Sequence, residues 1–298
     1  MRPGDGSDAG RNISLKKGEM FMRYYLACAA IALSAATPAM AQDEPTSPIS
    51  VTGSIALVSD YRFRGVSQSD EELAVQGGIT VTHESGFYVG TWGSNLSGWG
   101  TFGGSNTELD LFGGYAIPLG GATVDVGLTW YMYPGGADKT DFAEPYVKVS
   151  GTVGPAKLLA GVAYAPKQEA LGRWYLSGAS YGTGIPDAPG DKEDNLYIWG
   201  DISSGVPSTP LTLKAHLGYS NGNAGLGPNG TSVAPTGKYL DWMVGGDFAV
   251  GPLTLGVAYV DTNISKSESV YLQPNFSSTK DGSSIASGQV VFSVSAAF

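Results

Sequence analysis

Cysteine is nearly missing from this 298-residue chain: the single one, Cys28, lies near the N-terminus, so no disulfide framework can hold the fold. Charge is scarce as well. Asp, Glu, Lys and Arg make up 15% of the residues, against about 25% in an ordinary soluble domain. Lys and Arg number 17 against 27 Asp and Glu, so the basic surface that neutralises nucleic-acid phosphates is wanting and no nucleic acid is expected as a partner. Only His83 and His216 supply imidazole. His83 falls at a turn, and His216 points inward beside Lys214, where parity offers no lipid-facing nucleophile for a Ser–His–acid pattern. GxGxxG, P-loop, CxxC and HExxH motifs do not occur. The chain is therefore read as no enzyme, with no cofactor and no metal. Beyond the N-terminal region, no run approaches the roughly 18 apolar residues of a spanning helix.

The missing charge is made up by 44 Gly, 16 Tyr and many Ser and Thr, while the apolar share stays at 42%. Gly disfavours helix, and Tyr and Thr favour strands. The pattern agrees. In "TELDLFGGYAI", Leu109, Leu111, Gly113, Tyr115 and Ile117 alternate with Glu108, Asp110 and Phe112. In "PLTLKAHLGY", Leu211, Leu213, Ala215, Leu217 and Tyr219 alternate with Thr212, Lys214 and His216. Period two marks a strand, and apolar-out, polar-in alternation over about ten residues is what a membrane barrel requires.

Twelve such runs are read: 51–63, 73–83, 86–96, 105–117, 122–133, 142–153, 156–166, 194–203, 210–220, 239–250, 253–263 and 287–298. Their connections alternate between short ("ESG", "PLGG", "VGPA", "VGP") and long polar ones, among them 167–193, 221–238 and 264–286. The expected fold is all-β: a transmembrane antiparallel up-and-down barrel of twelve strands, with short periplasmic turns and long extracellular loops. A weak repeat, "VGPAKLLAGVAYAP", "STPLTLKAHLGYSNG" and "VGPLTLGVAYVDT", supports it. Each copy has a Pro-bearing turn, an apolar strand and a Tyr near the far interface. The last run places Val290, Phe292, Val294, Ala296 and Phe298 on one face, so that the terminal strand closes the barrel and leaves no edge in lipid.

Four segments are expected. Residues 1–21, polar and Gly-rich, read as an upstream extension rather than native protein. Residues 22–41 read as an export signal: Met22-Arg23, an apolar core from Leu26 to Ala36, and cleavage between Ala41 and Gln42. Residues 42–50 form a short periplasmic segment and 51–298 the barrel. Cleavage would remove five of the seventeen bases and three of the twenty-seven acids, shifting the net charge from −10 to −12. The location implied is the bacterial outer membrane, with its lipid as a partner.

Parity assigns charged residues to the interior. Strand one is expected to turn Asp60, Arg62 and Arg64 inward and Tyr61 and Phe63 outward; the charges could line the pore mouth or form a salt-bridge network that fixes a loop, and both readings stay open. The other inward charges are Glu108, Asp110, Asp125, Glu144, Lys148, Lys157, Asp201, Lys214, Asp241 and Asp247, with His216 beside them. This makes eight acids to five bases and leans towards cations. Trp130, Tyr131, Tyr133, Tyr164, Tyr219, Trp242 and Tyr259 are read as an interface girdle.

"SDYRFRGVSQSD" (Ser59 to Asp70) resembles the TorF-type porins of Gram-negative outer membranes. The likeness continues through "SGFYVGTWGSNL", "ELDLFGGYA", "VDVGLTWYMYPG", "HLGYS", "YLDWMVG" and "VAYVDTN". It implies a barrel and a channel, brings no catalytic residues, and fits Phe298 as part of the signal read by the outer-membrane assembly machinery. The expected function is passive diffusion of small hydrophilic solutes or ions. The alternative is a non-conducting surface protein acting through its long loops, whose aromatics are Trp174, Tyr175, Tyr181, Tyr271 and Phe276. The solute and the oligomeric state are left open.

Overall fold

A computed structural model describes residues 47–98 and 102–298. The expected extension (1–21), export signal (22–41) and Ala41–Gln42 cleavage site lie outside the described residues. Twelve antiparallel strands close on themselves: β1 (Ile49–Val58), β4 (Ala74–His83), β5 (Phe87–Asn95), β6 (Thr107–Leu119), β7 (Ala122–Met132), β8 (Phe142–Val153), β9 (Ala156–Gln168), β10 (Glu193–Gly205), β11 (Leu211–Ala224), β12 (Thr236–Val250), β13 (Leu253–Thr262) and β14 (Gln289–Ala297). Each strand pairs with its sequence neighbours, and β1 pairs with β14. Two further short strands, β2 (Arg62–Phe63) and β3 (Val66–Ser67), form a separate hairpin between β1 and β4.

Two turns show how the sequence makes the tight end. Val153 pairs with Ala156 and Val250 with Leu253, so Gly154-Pro155 and Gly251-Pro252 are two-residue hairpin loops. Gly154 (φ 59°) and Gly251 (φ 57°) take the left-handed position that a Cβ disfavours, and Pro follows where no ladder donor is needed. At the opposite end lie the long connections 59–73, 133–141, 169–192, 225–235 and 263–288. The outer wall is a belt of exposed Val, Leu, Ile and Phe, including Val51, Ile55, Val89, Leu128, Leu217, Val257 and Phe292. Such a belt, around a sheet without edges, suits hydrocarbon.

The first predicted strand needs correction. It ends at Val58 and not at residue 63, and Tyr61 and Phe63 do not face outward: Tyr61 is buried inside the mouth against Trp92, and Phe63 packs edge-on to Tyr131. Two girdle residues are corrected as well. Tyr131 points inward, because its neighbour Trp130 points out, and Tyr133 lies past the end of β7 in the same interior cluster. Trp130, Tyr164 and Tyr259 are exposed on the outer wall.

The seam is finished by the last residue. Gly53 and Phe298 exchange both backbone hydrogen bonds, at 2.7 and 2.9 Å. The Phe298 ring lies over Gly53, where an added Cβ would come within 2.6 Å of it. Gly53→Val and deletion of Phe298 should each lower the yield of heat-modifiable barrel on gels, because either change opens the β1–β14 seam at its tight-turn end. Unchanged yield in both would show that this contact does not secure closure.

Candidate functional site

The β2–β3 hairpin folds back into the mouth of the barrel. Phe63 pairs with Val66, so Arg64-Gly65 is a two-residue turn, with φ of 48° and 81°. Positive φ at both positions is the turn that Asn-Gly usually fills. An arginine there costs about 1–2 kcal/mol of backbone strain. Strain of this kind persists only where surrounding contacts hold it, and the contacts are present.

The Arg64 guanidinium reaches across the interior. Its Nη2 lies 2.7 Å from both carboxylate oxygens of Glu144 on β8. The Tyr131 hydroxyl donates to the same carboxylate at 3.3 Å. The guanidinium carbon sits 4.1 Å over the Tyr197 ring and 4.9 Å over that of Phe63. Both charged side chains are about 5% exposed. Arg64 Nη1 finds no hydrogen-bond acceptor among the described residues.

Arg62 anchors the base of the hairpin. Its Nε lies 2.5 Å from Asp60, and its Nη1 donates to the carbonyls of Gly65, Ile285 and Ser287, each at 3.0 Å. Asp60 also accepts from Ser67 and Ser69. Tyr61 donates to Glu108 on β6 at 3.1 Å, and Asp70 accepts from Thr279 in the connection before β14. Burial pushes the Glu71 carboxyl up, and the Arg62 guanidinium 3.2 Å away pulls against it. Of the two readings left open for Asp60 and Arg62, the geometry is that of a network fixing a loop.

Most of the remaining predicted interior charges are brought together in cross-strand groups beneath the hairpin. Lys148 (β8) meets Asp125 (β7) at 3.2 Å, and Lys214 (β11) meets Asp247 (β12) at 2.7 Å. His216 (β11) lies between Asp201 (β10) at 2.7 Å and Asp241 (β12) at 3.1 Å, with the Tyr197 hydroxyl also on Asp241. Glu108 and Asp110 sit side by side on the inner face of β6, both buried. Lys157 lies at the tight-turn end of β9, paired with Ser203 and exposed.

Aromatic rings line the same wall, and sequence reasoning did not single them out as interior features. Tyr88 lies over Gly114, Phe112 over Gly90, Tyr146 over Gly127 and Trp199 over Gly161, each glycine on a neighbouring strand. A glycine facing inward opposite an inward aromatic was the available signal: a Cβ at any of these positions would collide with the ring. The rings thus lie along the wall. Tyr88 donates to Asp125 at 2.6 Å, and Lys148 sits 4.2 Å over the Tyr146 ring.

The long connections cover the hairpin. Tyr175 and Leu226 exchange backbone hydrogen bonds of 3.0 and 2.8 Å. They pack with Val66, Tyr239, Leu272, Phe276 and Ile285 in one apolar cluster, with Trp174 and Tyr181 against it. Two short helices, α1 (Gly178–Gly182) and α2 (Lys266–Tyr271), are capped by Ser177 and Ser265. Of the five loop aromatics expected to be available to partners, Tyr175 and Phe276 are buried, Trp174 and Tyr181 are partly buried, and Tyr271 is 62% exposed.

Residues 42–298 match the model of a bacterial protein family of unknown function, Gcw_chp, and the chain belongs to that family. No curated protein matches it. Among solved structures, it is similar to a porin refined at 1.8 Å, with 9% identity, 84% of this chain and 100% of that one covered, and a TM-score of 0.40. It is also similar to an anion-selective porin from Comamonas acidovorans, with 12% identity, 84% and 99% coverage and a TM-score of 0.35. The translocator domain of the autotransporter NalP from Neisseria meningitidis shares 11% identity over 84% and 87% of the two chains, with a TM-score of 0.39. Likeness at this level carries no functional argument; the interior has to supply it.

Glu144→Leu should expose how much the hairpin depends on Arg64. It leaves a buried guanidinium without its counter-charge, which costs about 3–5 kcal/mol and should lower the thermal midpoint of the purified barrel. Combining it with Arg64→Asn should recover part of that loss. Additive losses would mean that the two side chains do not act on each other.

Proposed function

We propose that this protein is an outer-membrane channel for passive diffusion of small hydrophilic solutes, with a modest preference for cations, and that it acts without catalysis. The observation that carries the reading is the interior. A closed barrel with an apolar wall encloses charges from six of its twelve strands, β6 to β8 and β10 to β12, and its mouth is narrowed by a strained hairpin fixed through Arg62 and Arg64. A protein that only needed a filled interior could use apolar side chains, since well-packed hydrophobic residues often replace buried ion pairs without loss of stability. The motif resemblance to TorF-type porins supports the same reading. It also supports an export signal at 22–41 and outer-membrane assembly through the C-terminal strand, with short turns periplasmic and long loops outside.

The preference for cations rests on eight inward acids against five inward bases. A low-dielectric wall around a narrow passage strengthens that field. In planar bilayers, the purified protein should give discrete conductance steps, and reversal potentials in a KCl gradient should show potassium favoured over chloride. The preference should weaken as salt rises and screening lengths fall from about 10 Å at 0.1 M to about 3 Å at 1 M. A sealed barrel with no steps at any voltage would refute the channel.

A second reading has one observation in its favour. Leu176, Ile185, Val270 and Tyr271 are apolar and exposed on the loop end, Ile185 at 73%, as a surface that meets another molecule would be. If adhesion and not passage is the function, replacing 169–192 and 263–288 with short polar links abolishes binding to cells and leaves solute uptake unchanged.

A further inference from the structure

We propose that Arg64 occupies a binding site for guanidinium-bearing solutes, so that the hairpin tip is a tethered stand-in for the molecules this channel admits. The proposal rests on the channel reading for its transport role, but the site itself stands on the geometry around Arg64.

Three groups on the barrel wall converge on the guanidinium. Tyr197 on β10 presents a ring face at 4.1 Å. Glu144 on β8 presents a carboxylate at 2.7 Å. Tyr131 on β7 holds that carboxylate with its hydroxyl. An aromatic face beside a fixed carboxylate is the set that recognises a planar organic cation, by ring quadrupole on one side and charge-assisted hydrogen bonds on the other. None of the three belongs to the hairpin, so the set stays on the wall when the hairpin leaves. Phe63, the second ring, leaves with it.

Two features mark Arg64 as an imperfect occupant. Its backbone is strained in a turn that Asn would fill with ease. Its guanidinium meets both oxygens of Glu144 through the single nitrogen Nη2, while Nη1 is buried without an acceptor among the described residues. A free guanidinium is under no tether. It can turn to give Glu144 two parallel N–H donors, the paired geometry Arg64 does not reach. Removing Arg64 also leaves Glu144 as a buried carboxylate without its cation, which draws a positive ligand into the site. In the wild type, the tether keeps Arg64 at an effective concentration in the millimolar range, so free solute competes only at comparable levels.

The test uses the purified full-length barrel in detergent, with methylguanidinium chloride as the probe and KCl and urea as controls. Arg64→Asn removes the guanidinium and keeps a favourable turn; Arg64→Gly does the same by a second route. Millimolar methylguanidinium should raise the thermal midpoint of either variant in a saturable way, move the wild type far less because Arg64 competes for the site, and lose its effect when Glu144→Gln is added. Equal shifts with KCl or urea, or shifts that survive Glu144→Gln, would overturn the site. The same samples in planar bilayers separate this claim from the channel reading. A saturable midpoint shift without any conductance keeps the site and refutes the channel; conductance steps without a midpoint shift keep the channel and refute the site.

Discussion

Charge enclosed in a narrow barrel has to be met by opposite charge, and most of this interior follows from that requirement. Lys148 and Asp125, Lys214 and Asp247, and Arg64 and Glu144 join groups from different chain segments. Each pair is worth having only if both partners stay in register, since one left alone is a liability of several kcal/mol. The closed sheet supplies the register. Once β1 is joined to β14, every strand has two neighbours and no strand can slip by one residue without turning its apolar face inward. The wall is therefore what allows charge to be kept inside, and the charge in turn fixes the hairpin that narrows the mouth.

The aromatic rings solve a packing problem in the same space. Rings that stood out from the wall would fill the interior, whereas rings laid over glycines on adjacent strands lie flat along it. The rings also hold cations: Lys148 over Tyr146 below, and Arg64 over Tyr197 above. An interior built this way treats positive charge as something to be received on a face, and that is why its own arginine fits where it does.

Much of this was legible in the sequence because parity is a strict rule in a strand. Leu109, Leu111 and Tyr115 face out, and Glu108, Asp110 and Phe112 face in, as alternation requires. Eleven of the twelve strand runs lie close to their observed positions. The exception has a physical cause. Asp60-Tyr61-Arg62-Phe63-Arg64 continues the alternation after hydrogen bonding to the wall has stopped at Ser59, so period two alone cannot show where the wall ends. The available sign was Arg64-Gly65 between Phe63 and Val66, a turn-like pair that folds the pattern back on itself. Tyr131 was misread against the parity rule itself, since Trp130 beside it already faced out. The partners of each charge were beyond reach, because they depend on register across strands and on a hairpin that crosses the interior.

The central claim is that the hairpin at 62–67 sits inside the mouth and sets the width of the passage. Replacing residues 62–67 with a short Gly-Ser link, and recording single-channel conductance in planar bilayers, tests it most directly. The account predicts a steady conductance several-fold above that of the wild type, with weaker discrimination between potassium and chloride. Conductance and selectivity indistinguishable from the wild type would place the narrowing elsewhere and contradict the account.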